Sequence, residues 1–544
     1  MTQYLTLLLD CPVVIAAIFI SGIGGTFQYG YGVSVMTSPS AFIKELMNQT
    51  CVHRYNVSLE QWQVSLIWSF TVSIFCIGGL LGSLFAGSLM SKFGRKQCLL
   101  LNNFVAIAGA VLMLLSQKTM SFEMVMVGRL LYGINSGVGL TVHSVYLTEC
   151  APKRLRGMVG VTIATFISTG KFFGQLLGIS ELLGTEKMWP WLLGFNGFTA
   201  LFQLFTLPFL PESPSFLLLD RGDRQACEKA LHRLWGDKDY SREVEEMLEE
   251  RASLGSVRSH SVLELIQNRT VRWQLLTIVV VFTTVQLCGI NAVYFYSFDV
   301  FRAAGIPEEK LRFAALGTGL CELCTSLACF VIIESTGKRV LLFRGYMGMS
   351  ATLILLTVTL YLQGQVSWMP YCSMALIFIF IFFFASGPAG VTAPLPGEIF
   401  NQSYKSAAYI VACTLNWTGL FTLGMLFPVL VVSVLLSPQF FLLTEGYLKE
   451  QLLKKSVKMC HSLTNCFQML CFQEQLDYYC FLIFLVFCAV CGIYVRLNVP
   501  ETKNRTVLEI TAEFERMHSK TAASDMKRST EQKLNGIQIH ETKL

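Results

Sequence analysis

Four polar side chains lie inside long apolar stretches of the sequence, and their chemistry indicates a site. Gln286 and Asn291 are five residues apart in one stretch, whereas Lys171 and Glu322 are charges in two others. Amides offer paired hydrogen-bond donors and acceptors, which suit a neutral polyol. They equally suit hydrogen bonds between helices. A charge among apolar residues is costly unless it is paired or hydrated, so Lys171 and Glu322 are candidates for a functional site.

The elements that must position these side chains are membrane-spanning helices. The chain has 544 residues, of which 53% are hydrophobic and 14% are charged, whereas soluble chains carry about 25% charged residues. A helix needs about 20 apolar residues to cross the hydrocarbon core. Apolar runs of that length, numbered here span one to span twelve, lie near residues 12–34, 62–90, 98–117, 122–148, 158–182, 189–210, 273–296, 313–333, 340–362, 371–397, 406–432 and 477–497.

The basic residues between the spans predict the orientation of the chain. The loops two–three, four–five and eight–nine are rich in Lys and Arg, which favours the cytoplasm for that side. Both termini are then cytoplasmic, although loop seven–eight, with Arg302, Lys310 and Arg312, runs against the trend. The first span is long and lacks a basic leader, so we interpret it as retained. Asn48 and Asn56 begin glycosylation triplets in the first outer loop.

The two halves of the chain repeat short motifs. The paired positions are Gly94-Arg95-Lys96 with Gly337-Lys338-Arg339, Glu149 and Arg156 with Glu398 and Lys405, and Glu212 with Glu501. The offsets between them are 243, 249 and 289 residues. The larger third offset predicts an added segment at about 433–472, between spans eleven and twelve on the outer side. Cations beside glutamates at helix ends can form a charge network that holds one of two states, as alternating access requires. Such loops also collect Lys and Arg through topology alone.

Taken in order along the chain, these and further motifs resemble the sugar-porter family of the major facilitator superfamily. The similarity is to the facilitative hexose transporters, and within them to the class II, fructose-transporter branch. The further motifs are Phe27-Gln28-Tyr29-Gly30-Tyr31, Gly128-Arg129, Pro211-Glu212-Ser213-Pro214, Gln286 to Ala292, Glu334, Gly387-Pro388-Ala389-Gly390, Asn416-Trp417 and Pro500-Glu501-Thr502-Lys503.

The resemblance implies an all-α membrane protein of the major facilitator fold. Its twelve helices would form two six-helix bundles, residues 1–211 and 273–500, joined by a cytoplasmic helical linker, 212–272, and followed by a tail, 501–544. Uniport of a hexose by rocking of the bundles is the implied activity. The implied conformational-switch residues are Gly94, Arg95, Lys96, Arg129, Glu149, Arg156, Glu212, Glu334, Lys338, Arg339, Glu398, Lys405 and Glu501.

The resemblance also implies which residues contact the sugar. The family places sugar-binding amides at Gln286 and Asn291, and aromatic residues at Tyr31 and Tyr294. The other candidates are Lys171, Gln175, Glu322, Asn416 and Trp417. Several family contacts are absent: the positions are occupied by Ala164, Val285, Glu322, Ala385 and Ala393. Lys171 and Gln175 share one face of span five, and we expect Lys171 to pair with Glu322 across the two bundles.

Other functions stay open at this point. Lys171 could attract an organic anion such as urate, or the chain could be a carrier-like sensor that transports nothing. Proton coupling is less favoured, because family symporters carry an aspartate at the position of Gly32. We expect no enzyme activity, no catalytic residue, no cofactor or metal and no nucleic-acid partner, because the required motifs and a concentrated basic face are absent. A monomeric glycoprotein of the plasma membrane is expected.

Overall fold

The computed structural model describes residues 11–152, 155–236, 240–255, 260–362, 366–435, 480–502, 505 and 509–518. Throughout this part of the chain the regular structure is helical, with no strand. Ten helical segments in it are long and apolar enough to cross a membrane: Pro12–Ser34, Gln61–Phe93, Arg95–Ser116, Phe122–Cys150, Trp189–Phe209, Arg269–Phe295, Lys338–Tyr361, Met369–Val391, Ser403–Leu426 and Phe481–Asn498.

Two more long helices occupy the places predicted for spans five and eight. They are Arg156–Leu177 and Glu308–Ser335, of 22 and 28 residues. Large apolar side chains cover the outward faces of the bundle, where for example Phe205 is 70% exposed and Phe85 is 62% exposed. Such surfaces are typical of contact with lipid. The predicted all-α membrane architecture is confirmed.

The helix packing repeats between the two halves. In the first half, span one packs on five, two on four, three on four, and three on six. The second half has the same contacts six spans later: seven on eleven, eight on ten, nine on ten, and nine on twelve. The halves meet where span two packs on eleven and span five on eight. The repeat seen in the motifs therefore extends to the packing.

Span seven is broken at a glycine. Its helix Arg272–Leu287 ends before Gly289, and a short helix, Ile290–Phe295, follows. Gly289 has a backbone φ of +95°, which residues other than glycine rarely adopt. An added Cβ there would lie 2.4 Å from the Phe484 ring. The break places Gln286 before the turn and Asn291 after it.

The connecting segments add short helices to the bundle. Helix Ser40–Tyr55 lies between spans one and two, where the sequence predicted only a loop. The charged segment 212–272 contains Arg224–Trp235, Ser241–Gly255 and Val262–Gln267. The helix of span eleven runs over Gln402–Leu435. Except for 433–435, the predicted insertion 433–472 lies outside the described residues.

Candidate functional site

Three amide side chains form a connected chain at the break in span seven. Asn291 Nδ2 donates to Gln286 Oε1 at 2.7 Å, and Gln286 Nε2 donates to Asn416 Oδ1 at 2.6 Å. Gln286 is 4% exposed and Asn291 is 8% exposed. The structure thus brings Gln286 and Asn291 together and adds Asn416 from span eleven. Buried, mutually bonded amides are groups that can exchange their partners for the hydroxyls of a polyol.

An aromatic cluster lies next to the amides. Trp417 follows Asn416, is 2% exposed, and donates from Nε1 to Ser83 Oγ at 3.0 Å. Its ring centroid lies 5.7 Å from that of Tyr29 and 6.0 Å from that of Phe75. These contacts join span eleven to spans one and two, so Trp417 sits at the boundary between the halves.

Lys171 and Glu322 form the predicted ion pair. Lys171 Nζ lies 2.9 Å from Glu322 Oε1 and 3.0 Å from Oε2. The side chains are only 7% and 4% exposed. The pair joins span five to span eight, one from each half. Its formation explains how two charges can occupy apolar helices, because each compensates the other.

Neutral polar contacts extend this ion pair into a ladder. Gln175 Nε2 donates to Thr318 Oγ1 at 2.9 Å, and Ser168 Oγ lies 2.9 Å from Ser326 Oγ. We call these six residues the five–eight seam: Ser168, Lys171, Gln175, Thr318, Glu322 and Ser326. The sequence analysis missed the three hydroxyl residues. A signal was present, since Thr318, Glu322 and Ser326 follow at four-residue spacing on one helix face.

The ring of Tyr294 covers the Lys171–Glu322 ion pair. Lys171 Nζ lies 4.1 Å from the centroid of the Tyr294 ring, within the range of a cation–π interaction. The backbone carbonyl of Tyr294 accepts a hydrogen bond from Thr37 Oγ1 at 2.9 Å. Thr37 follows span one, so this bond ties the first half to the second part of span seven.

Tyr31 does not lie where it was expected. Its hydroxyl donates to the Leu192 carbonyl at 2.7 Å, and its ring packs 5.3 Å from that of Phe195. Both partners belong to span six, so Tyr31 is a packing residue inside the first bundle. The reason is helical phase: residues two apart face different directions, and Tyr29 faces Trp417 instead.

The repeated motifs form two equivalent carboxylate caps. Glu212 Oε1 accepts from the backbone N–H groups of Arg95 and Lys96, at 3.1 and 2.9 Å. Glu501 Oε1 accepts from the N–H of Lys338 at 2.8 Å. Carboxylates stabilise helix N-termini. A Cβ at Gly94 or Gly337 would lie 2.8 or 2.3 Å from the glutamate oxygens, so the glycines make room for the caps.

Ion pairs accompany both caps. Arg95 binds Glu149, with Nε 2.9 Å from Oε2, and Asp220, with Nη1 2.7 Å from Oδ2. Lys338 pairs with Glu398 at the equivalent place in the second half. Arg339 Nη2 donates to a backbone carbonyl, that of Arg496.

Two predicted switch residues, Lys405 and Arg129, depart from this pattern. Within the described residues Lys405 makes no ion pair. Arg129 is not part of the network, because it lies inside the first bundle. It donates to the Gly32 carbonyl at 2.6 Å and the Val72 carbonyl at 3.0 Å. The side chains of Arg156 and Glu334 lie outside the described residues.

The two glycosylation triplets differ in exposure. Asn48 is half-buried within helix Ser40–Tyr55, and Thr50 of its triplet is fully buried. Asn56 is exposed, ends that helix and has a φ of 57°. Among the described residues no group of three or more His, Cys, Asp or Glu side chains could hold a metal ion.

Two repeated halves, a buried amide cluster in the second half next to the boundary residue Trp417, and matching charged loops define a membrane carrier of the major facilitator class. The family described as "Sugar (and other) transporter" matches residues 17–446. The chain belongs to this sugar transporter family.

Relatives agree with this membership, and a solved structure has the same fold. Human facilitated glucose transporter member 11 is 40% identical over 94% of this chain and 95% of its own. Human member 9 is 39% identical, covering 93% and 86%, and bovine member 5 is 38% identical, covering 93% of each. These relatives fit the predicted class II branch. The proton:xylose symporter XylE, bound to 6-bromo-6-deoxy-D-glucose, has a TM-score of 0.67 at 19% identity, covering 93% of this chain and 99% of its own.

Proposed function

We propose that this protein is a uniporter for a neutral hexose, fructose and/or glucose, and that it works by alternating access. The observation that carries the proposal is the bonded chain of Gln286, Asn291 and Asn416 in the second half, next to Trp417, which contacts the first half. Their donors and acceptors match sugar hydroxyls, and Trp417 beside them offers an apolar face for the sugar ring. The names of the relatives, facilitated glucose transporters, support the same substrate class.

The state of Lys171 favours a neutral substrate over an organic anion such as urate. Its ammonium is bound by both oxygens of Glu322 and covered by the Tyr294 ring. An anion would have to displace Glu322 to reach it. We therefore assign Lys171, Glu322, Gln175 and Tyr294 to the outer gate beside the site.

The charged loops serve as the opposing gate in this proposal. The caps on Glu212 and Glu501, with the pairs Arg95–Glu149 and Lys338–Glu398, lie at the other end of the helices from the five–eight seam. Opening one end while the other stays closed gives alternating access. Twelve spans, both termini in the cytoplasm, the domain bounds 1–211, 212–272 and 273–500, and a monomer at the plasma membrane belong to the same proposal.

Transport by the purified protein in liposomes tests the proposal. Uptake of labelled fructose, glucose and urate is measured in parallel, with and without a pH gradient. We expect saturable hexose uptake that stops at equal concentrations and does not accumulate when a proton gradient is imposed. The proposal would be contradicted by uptake of urate that is faster than uptake of either hexose, by accumulation of hexose driven by protons, or by no uptake of any hexose.

A further inference from the structure

The charge of Lys171 is fully engaged in this structure. Both oxygens of Glu322 lie within 3.0 Å of Nζ. The Tyr294 ring lies on another side of the ammonium, with its centroid at 4.1 Å. Glu322 Oε1 also accepts from Ser168 Oγ at 3.3 Å. Lys171 thus has its charge balanced by a neighbour that is itself held in place.

The ion pair borders the amide site. Asn291 and Tyr294 are three residues apart on helix Ile290–Phe295, so they lie on neighbouring parts of one face. Asn291 bonds Gln286, while the Tyr294 ring contacts Lys171. A single helical turn therefore links the amides that suit a polyol to the cation.

Removal of Glu322 alone would change which ligands the site attracts on the side of Lys171. A buried cation that has lost its partner strongly destabilises the protein. A ligand that brings its own carboxylate relieves that cost. A hexuronate is a hexose whose terminal carbon is a carboxylate, so it offers hydroxyls to the amides and a negative charge to Lys171.

We propose that Glu322 determines substrate specificity by occupying Lys171 and thereby excluding anionic sugars. This inference rests on the proposed hexose transport. Without Glu322 the same site accepts a hexuronate, and with both charges removed it returns to neutral sugars. Lys171 is then the anion contact that the native chain keeps covered.

The experiment compares the ratio of labelled glucuronate uptake to hexose uptake in liposomes. Glu322→Gln keeps the shape of the side chain and removes its charge, and we expect the ratio to rise about tenfold or more. The double variant Lys171→Met, Glu322→Gln has no cation, so its ratio should match that of the unaltered protein. Ser326→Ala, a change in the same seam without change of charge, should not alter the ratio.

Several results would overturn the inference. One is an unaltered ratio in Glu322→Gln while hexose uptake persists; another is glucuronate uptake by the unaltered protein as fast as hexose uptake. Should Glu322→Gln transport nothing, thermal stabilisation of the purified variant by glucuronate decides, and no stabilisation overturns it. If Glu322→Gln does not fold, Glu322→Ser is measured in its place. Absence of hexose uptake by the unaltered protein would instead contradict the proposed function.

Discussion

Gln286 organises the amide site, because its side chain accepts from Asn291 and donates to Asn416. These groups satisfy one another, so under the proposed function a bound sugar would replace existing hydrogen bonds with its own. Each exchange has a small net free energy, whereas a donor or acceptor left unpaired costs much more. Selection among hexoses therefore depends on whether every amide regains a partner.

Asn291→Ala tests the need for every amide to regain a hydrogen-bond partner. It removes the donor to Gln286 and one proposed contact to the sugar, leaving a buried acceptor unpaired. We expect a loss of about 1–3 kcal/mol in sugar binding, roughly 5- to 150-fold in affinity. The apparent affinity for hexose uptake measures it. Thr414→Ala is the control, since the Thr414 hydroxyl donates to the Ile410 carbonyl of its own helix. Equal affinities in the two variants would contradict the assignment.

Arg129 is a buried cation that donates to the carbonyls of Gly32 and Val72 and lies over the Phe75 ring, and no carboxylate among the described residues pairs with it. A Cβ at Gly32 would lie 3.9 Å from Arg129 Nη1 and 3.0 Å from the Phe75 ring. We expect Gly32→Asp to place a titratable carboxylate against Arg129 and to make hexose uptake depend on pH. Uptake in the unaltered protein should change little between pH values.

Gly32→Asn is the matched control for that variant. It meets the same crowding against Phe75 but carries no charge that titrates. Uptake is measured over a series of external pH values at constant sugar concentration. If the Asp and Asn variants respond to pH alike, the interaction with Arg129 is not the cause.

At the scale of elements, helix Ser40–Tyr55 decides which glycosylation triplet is accessible. Asn48 Oδ1 accepts from the Leu59 N–H at 3.3 Å, and Thr50 is buried against the Met120 carbonyl. Asn56 lies exposed at the end of the helix. We expect Asn56→Gln to abolish the mobility shift that glycosidase treatment causes, and Asn48→Gln to leave it unchanged. A shift lost only with Asn48→Gln would reverse this assignment.

The elements also show what the sequence could and could not predict. The spans were predictable because length and hydropathy are local properties, and the predicted bounds fall within a few residues of the observed ones. The Lys171–Glu322 pair was predictable because a charge in an apolar helix needs a partner. The direction of Tyr31 was not, since it depends on the phase of span one against span six. Helix Ser40–Tyr55 was missed because its sequence is polar enough to read as a loop.

For the whole molecule, the two contacts between the halves are related by the same repeat as the motifs. Span two packs on eleven, and the repeat converts this pair into span eight on five. The two contacts between the halves are therefore equivalent to each other under the repeat. In the proposed mechanism, the rocking motion that opens this side separates the five–eight seam, and Glu322 returns to Lys171 when the seam closes around a substrate. The desolvation cost of the Lys171–Glu322 pair falls on the closed state, which keeps the closed state from becoming too stable.

Locking this seam should therefore stop transport. Ser168 Oγ and Ser326 Oγ lie 2.9 Å apart, close enough for a disulfide after replacement of both by cysteine. We expect the double variant Ser168→Cys, Ser326→Cys to lose hexose uptake on oxidation and to recover it with a reductant. The single variants and the unaltered protein, treated identically, account for oxidation of the native cysteines. Full uptake with the disulfide formed, verified by mass spectrometry, would show that transport does not require separation of spans five and eight, and alternating access through this seam would be wrong.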